Sequence, residues 1–296
     1  MLKNLKIATK VFTGFGVILA LLVGLSVVGG ASLNTAGGYF HDYREAARQR
    51  NQLNRVGITM QRVRVNVRNY ILDPKEDIAK QTIDRLGLLS KDVAEAKNLL
   101  ASRKDLLSQV EKLEKAEHEW KTLFEGVVAA QKKADGLLRD VLEKIGGETD
   151  QTLAQMTQNA AKIGNADAAI AMGEMGGNLL RARLAMSRFL RSSEAADADR
   201  ARKELAEMGE DIAKLMPELK VEENKVKLAK VEELRKQYLA GAEETVKAVN
   251  ERNDLFKVRM TALGNDMVKT GDDLTGTLRD FQDALGPKAE SAINTA

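Results

Sequence analysis

The stretch MQRVRVNVRNYILDPKEDIAKQTIDRLGLLSKDVAEAKNLL, Met60–Leu100, decides the fold because the chain writes it twice. The second copy is LLRARLAMSRFLRSSEAADADRARKELAEMGEDIAKLMPEL, Leu179–Leu219. Arg62 matches Arg181, Arg64 matches Arg183, Tyr70 matches Phe189, Asp92 matches Asp211 and Ala94 matches Ala213, every pair 119 residues apart. A repeat of that length is a duplicated module rather than a solenoid unit.

Each copy carries a helical seam. Leu53, Val56, Met60, Val63, Val67 and Tyr70 step by three and four, as do Met175, Leu179, Ala182, Met186 and Phe189. That spacing sets apolar side chains on one stripe of a helix. Arg64 and Arg183 fall beside their seams. Arg55 and Arg62 lie on the opposite flank of the first, where Thr59 and Asn66 also border it, and Arg181 takes that flank in the second copy.

Outward from the repeat, the pattern predicts six helices after an apolar start. They run from about Ser32 to Leu72, Lys75 to Leu100, Arg103 to Ile163 with a soft break at Gly146-Gly147, a fourth to Arg191, a fifth to Met216, and Leu219 to Ala284. Asp73-Pro74, Ala101-Ser102, Gly164-Asn165, Ser192-Ser193 and Pro217 punctuate them, and Gly286-Pro287 closes the last. The third and sixth resemble each other at an offset of 118: Val128 with Val246, Ala130 with Ala248, Leu137 with Leu255, Gly146 with Gly264. The expected fold is therefore all-α. Two stacked up-down four-helix bundles share two long helices and follow one transmembrane helix. The expected divisions are a cytoplasmic N-terminus at 1–10, the span at 11–30, a membrane-proximal module from 31–135 and 250–290, and a membrane-distal module at 136–249.

The span is VFTGFGVILALLVGLSVVGG, Val11–Gly30, free of charge and preceded by Lys3, Lys6 and Lys10. Its 20 residues match what a helix needs to cross a bilayer. The lysines keep the N-terminus cytoplasmic. A cleaved signal peptide, ending near Gly29-Gly30-Ala31, is the competing reading. Residues after about 31 are expected outside the cytoplasm, in the periplasm above a bacterial inner membrane. The polar end PKAESAINTA reads as a cut made before a second span.

Composition excludes several functions. The chain has no cysteine, so disulfides, iron–sulfur clusters and thiol catalysis are ruled out. Two histidines leave little for a histidine metal site, and the +3 charge does not indicate nucleic-acid binding. No P-loop, GxGxxG or HExxH motif occurs, so no enzyme and no cofactor is expected. Arginine usage is the positive signal. From Arg44 to Tyr70 there are seven arginines, no lysine and one acid, and from Met175 to Ser193 four arginines and neither lysine nor acid. A guanidinium grips carboxylates with a rigid two-pronged fork. Arginines beside a seam thus suit capture of small carboxylates between helices. They also suit pairing with neighbouring glutamates, or packing their stems over apolar contacts.

The lysine-flanked span, the helical extracytoplasmic region and the MQRVRVNVRNYIL / LLRARLAMSRFLR repeat together resemble bacterial methyl-accepting chemotaxis proteins, specifically their helical bimodular sensor domain. The resemblance implies two stacked four-helix modules, a homodimer, and recognition of organic acids such as malate, succinate or acetate. It places Arg62 and Arg64 in the membrane-near site and Arg181 and Arg183 in the outer one, with Arg252 and Arg259 completing the lower site. A sensor histidine kinase could carry the same input domain. The rival class is a membrane-anchored helical scaffold that binds an acidic protein or lipid headgroups. Burial discriminates: Arg64 and Arg183 turned between helices favour sensing, and both in bulk water favour the scaffold.

Overall fold

A computed structural model describes residues 7–294, and among them the chain is all-α, with no strand. The first helix, α1, is Ile7–Leu72. It joins the apolar span and the arginine-bearing segment without a break, where the sequence pattern suggests two pieces. Its most apolar window has a mean hydropathy of 2.5 and is wholly unburied. By length and composition it is the one described helix suited to cross a membrane, which fits a membrane protein. Lys3 and Lys6 of the flanking charge lie outside the described residues, while Lys10 lies in the first described turn of the helix.

Asp73-Pro74 ends α1 as expected, since proline disfavours helical geometry in the residue before it. Helix α2, Glu76–Leu99, opens on Glu76 and Asp77 and carries Lys97 in its last turn. Both charge placements complement the helix dipole. Helix α3 is Lys104–Leu137, followed by a π-helical segment Leu138–Glu143 and by α4, Lys144–Lys162. Gly164 (φ +74°) turns the chain, and the Asn165 side chain caps α5, Ala166–Ser192, by accepting from the Ala168 amide at 3.2 Å. Helices α6, Ala195–Leu215, and α7, Glu222–Asn253, follow. A second π-helical segment, Asp254–Met260, leads into α8, Thr261–Asn294.

Two expectations fail here. Gly146-Gly147 does not soften the helix: both lie in regular α4, and the irregular turn ends three residues before them. Gly286-Pro287 does not end α8 either, and Pro287 sits inside it. Proline clashes with the Cβ of its predecessor, and Gly286 has none. The helix also has only two turns left to run.

The chain divides into two compact units, one made of the residues up to Lys121 together with those from Leu263 onward, the other of Thr122–Ala262. In the first, α1 packs along α2. The seam residues Leu53, Val56, Met60, Val63, Val67 and Tyr70 are all buried, as are Leu86, Leu89 and Val93 of α2. In the second, α4 packs on α5 and α7, and α6 on α5 and α7, closing a ring of helices. Its core includes Leu153, Met156, Met175, Leu179, Met186, Phe189, Leu205, Met208, Leu228 and Tyr238. Fully burying each such side chain contributes about 1.5–3 kcal/mol.

The π-helical segments explain two glycines of the second unit. A Cβ on Gly241 of α7 would stand 2.6 Å from Val141 Cγ1, so only glycine fits against that bulged turn. A Cβ on Gly126 of α3 would stand 3.0 Å from Leu255 Cδ1 of the other bulged turn. Each bulge thus leans on a glycine of the opposing long helix.

Candidate ligand site

The matched arginines Arg64 and Arg183 sit in matched surroundings. Arg64 is half-buried on α1. Facing it is Gly264 of α8, whose absent Cβ would lie 3.8 Å from Arg64 Nε, 3.4 Å from Trp120 Nε1 and 3.4 Å from Met60 Cε. Arg183 is half-buried on α5. It faces Gly146 of α4, whose Cβ would lie 3.2 Å from Arg183 Cδ and Nε and 3.2 Å from Tyr238 Cε2. Gly146 and Gly264 are 118 residues apart, and so are Trp120 and Tyr238. Each unit therefore holds an arginine, a helical glycine and an aromatic edge from three different helices, at repeat-equivalent positions. Trp120 and Tyr238 are both 2 % exposed.

Arg64 Nη2 donates to Asn265 Oδ1 at 3.2 Å. Neither Arg64 nor Arg183 is ion-paired among the described residues. Burial pushes the Tyr238 phenol up to about 12, against the opposing pull of the Arg183 guanidinium. It stays a neutral hydroxyl at any physiological pH. In the first unit, burial raises the Glu117 carboxyl above its usual range, opposed by a hydrogen bond from Ser90 Oγ at 3.1 Å and by His118.

The opposite flank of each seam is engaged internally. Asp92 of α2 is buried and accepts from Thr59 Oγ1 at 2.7 Å, with Arg55 Nε at 3.1 Å. In the second unit Asp211 accepts from Asn178 Nδ2 at 3.2 Å, and Asn178 Oδ1 accepts from Arg181. Arg181 Nε also meets Glu204 Oε2 at 2.6 Å. Thr59 and Arg55 thus anchor α1 to α2, and Arg181 anchors α5 to α6.

The remaining candidates are placed as follows. Arg62 is exposed and Asn66 buried, both on α1. Arg252 belongs to the second unit, buried, donating to Gln131 Oε1 at 2.6 Å and to Ser193 Oγ at 3.1 Å. Arg259 is exposed in the second π-helical segment. A groove of about 390 Å³ in the first unit is lined mainly by Leu53, Val56, Met60, Leu113, Met267 and Val268, and no arginine lines it. A neighbouring groove of about 370 Å³ has Arg50 and Arg279 on its walls.

A half-buried guanidinium beside a flat glycine patch can accept a carboxylate or similar anion, with the aromatic edge excluding water and raising the strength of the contact. Sequence reasoning found both arginines and both glycines. It missed that Trp120 and Tyr238 are repeat partners. Their shared offset was the signal available. No group of three or more His, Cys, Asp or Glu able to hold a metal occurs among the described residues.

The family model described as the Tar ligand binding domain homologue matches residues 1–132. This match supports a chemoreceptor ligand-binding domain, a kind of domain that senses rather than catalyses. No curated protein matches the chain.

Proposed function

We propose that this chain is the sensor region of a methyl-accepting chemotaxis protein of the helical bimodular type, and that it binds small carboxylates at Arg64 in the first unit and Arg183 in the second. One observation carries the reading: a half-buried arginine without an ion-pair partner recurs, with the same kind of glycine and aromatic neighbours, in both halves of a duplicated chain. Random surface arginines would not repeat their environment. The placement of both arginines against neighbouring helices favours sensing over a scaffold whose arginines face bulk water.

In this reading each unit is an up-down four-helix module, and the unit carrying the apolar span is the membrane-proximal one. The protein is a homodimer in a bacterial inner membrane, with the residues after the span in the periplasm. An anion between Arg64 on α1 and the Asn265 turn of α8 binds one register of α8 better than another. Helix shifts of about 1–2 Å are an established mode of switching. The ligand acts only through its differential affinity for the two registers.

Calorimetric titration of the full chain with malate, succinate, citrate and acetate, beside Arg64→Ala and Arg183→Ala, tests this. Saturable binding, lost at one site in each variant, is the expected result. A folded protein that takes up none of the four acids would sink the carboxylate reading and favour a protein partner.

A further inference from the structure

Among the charged positions at which the two copies differ, one removes an ion pair between the paired helices. In the second unit, Arg181 of α5 is neutralised by Glu204 of α6, their Nε and Oε2 atoms 2.6 Å apart. Arg200, one turn before Glu204 on α6, adds a second cation at 3.6 Å from Oε1. The carboxylate therefore lies between two guanidinium groups. The repeat carries Arg181 back to Arg62 and Glu204 back to position 85, each by 119 residues. Position 85 is arginine. Where one unit has an arginine facing a carboxylate, the other has two arginines.

The register of the two helix pairs is the same. Thr59 meets Asp92 and Asn178 meets Asp211, in both cases 33 residues along the chain. Gln52 Nε2 and Gln49 Nε2 extend the α1–α2 zipper by donating to the backbone oxygens of Asp92 and Leu99, at 2.8 Å each. Arg62 and Arg85 thus occupy the two places that an ion pair fills in the other unit. Neither makes an ion pair or hydrogen bond among the described residues. Asp84 adjoins Arg85 on α2 without pairing with it, and Asp92, seven residues on, is already held by Thr59 and Arg55. Two like charges on one face repel, and a shared counter-anion removes that repulsion.

We infer that Arg62 and Arg85 form an anion site on the α1–α2 face, and that it takes a small anion of charge two or more, a di- or tricarboxylate or a phosphate, in the place where Glu204 lies in the second unit. This site is separate from that of Arg64. Arg62 and Arg64 are two residues apart on one helix and so point roughly 200° away from each other. The inference stands or falls independently of the reading above.

The decisive variant is Arg85→Glu, which writes the second unit's ion pair into the first. The full chain in nanodiscs of zwitterionic lipid is titrated with citrate and with inorganic phosphate, in the wild type, in Arg85→Glu, and in the Arg64→Ala/Arg183→Ala double variant. Arg85→Glu is expected to lose one class of sites, with affinity there falling tenfold or more, while the double variant keeps that class. Circular dichroism reports whether Arg85→Glu folds, and Arg62→Gln serves as the second variant if it does not. Wild-type affinity and stoichiometry in both substituted proteins would overturn the inference. So would a double variant that takes up neither anion.

Discussion

Asp92 Oδ2 accepts a hydrogen bond from the Thr59 hydroxyl at 2.7 Å across the α1–α2 contact. Its duplicate, Asp211 with Asn178, is longer at 3.2 Å, and Asp211 is the more exposed of the two acids. Hydrogen bonds to buried charged groups stabilise by about 1.5–3 kcal/mol, and exposed ones by much less. Asp92→Ala should therefore destabilise by about 2–3 kcal/mol and Asp211→Ala by about 1 kcal/mol or less. Denaturant titration of each variant measures this. Equal losses would show that the two contacts do not differ as their geometry indicates.

The two helical glycines at the arginines predict an asymmetry. Gly146→Ala would press a methyl within 3.2 Å of Arg183 and Tyr238, tight enough that the guanidinium must move. Gly264→Ala meets nothing nearer than 3.4 Å, an ordinary contact. Carboxylate affinity should fall several-fold in Gly146→Ala and stay near wild type in Gly264→Ala. Calorimetry on the two variants decides it, and an equal effect on both would count against the site geometry.

Glu117 carries a pH dependence. Burial raises its folded-state pKa above the unfolded value of 4.5. The folded chain then holds a proton that the unfolded chain has released, so stability falls as pH climbs from about 4.5 through the raised value. Glu117→Gln removes that penalty. It should raise the thermal midpoint at pH 7 and lose the advantage at pH 4. Melting curves at both pH values provide the check, and a variant less stable at pH 7 would mean that Ser90 and His118 outweigh burial.

Gly241→Ala tests the bulged turn. With a methyl 2.6 Å from Val141, either the turn or α7 must shift, and overpacking of this kind costs about 1–3 kcal/mol. Gly147→Ala, whose Cβ meets nothing within 4 Å, is the control and should be neutral or slightly stabilising. Chemical denaturation of the pair separates the two effects.

Much of this molecule was written plainly. The three-and-four steps of Leu53 through Tyr70 fixed the buried stripe of α1, because apolar periodicity and helical period coincide. The matched arginines and glycines were visible because the duplication kept their residue types. Trp120 and Tyr238 were not visible as partners because it kept only their aromatic character. The roles of Arg55 and Thr59 were hidden, since only packing reveals that Asp92 sits opposite them. The bulged turns LRDVLE and DLFKVRM have ordinary helical composition, so nothing local marks them. Their signal lies a hundred residues away, at glycines 126 and 241. Pro287 was over-read, because a proline behind a glycine near a helix end has lost most of its power to break.

The bulged turns have one further consequence. Each stores a single surplus residue in an otherwise regular coil, as a dislocation stores an extra half-plane in a crystal. A dislocation can glide. Handing the surplus to the next turn exchanges one i→i+5 hydrogen bond for an i→i+4 bond and rotates only the residues in between. Leu138–Glu143 and Asp254–Met260 thus give each long helix a means of changing phase locally while every turn on either side keeps its hydrogen bonds.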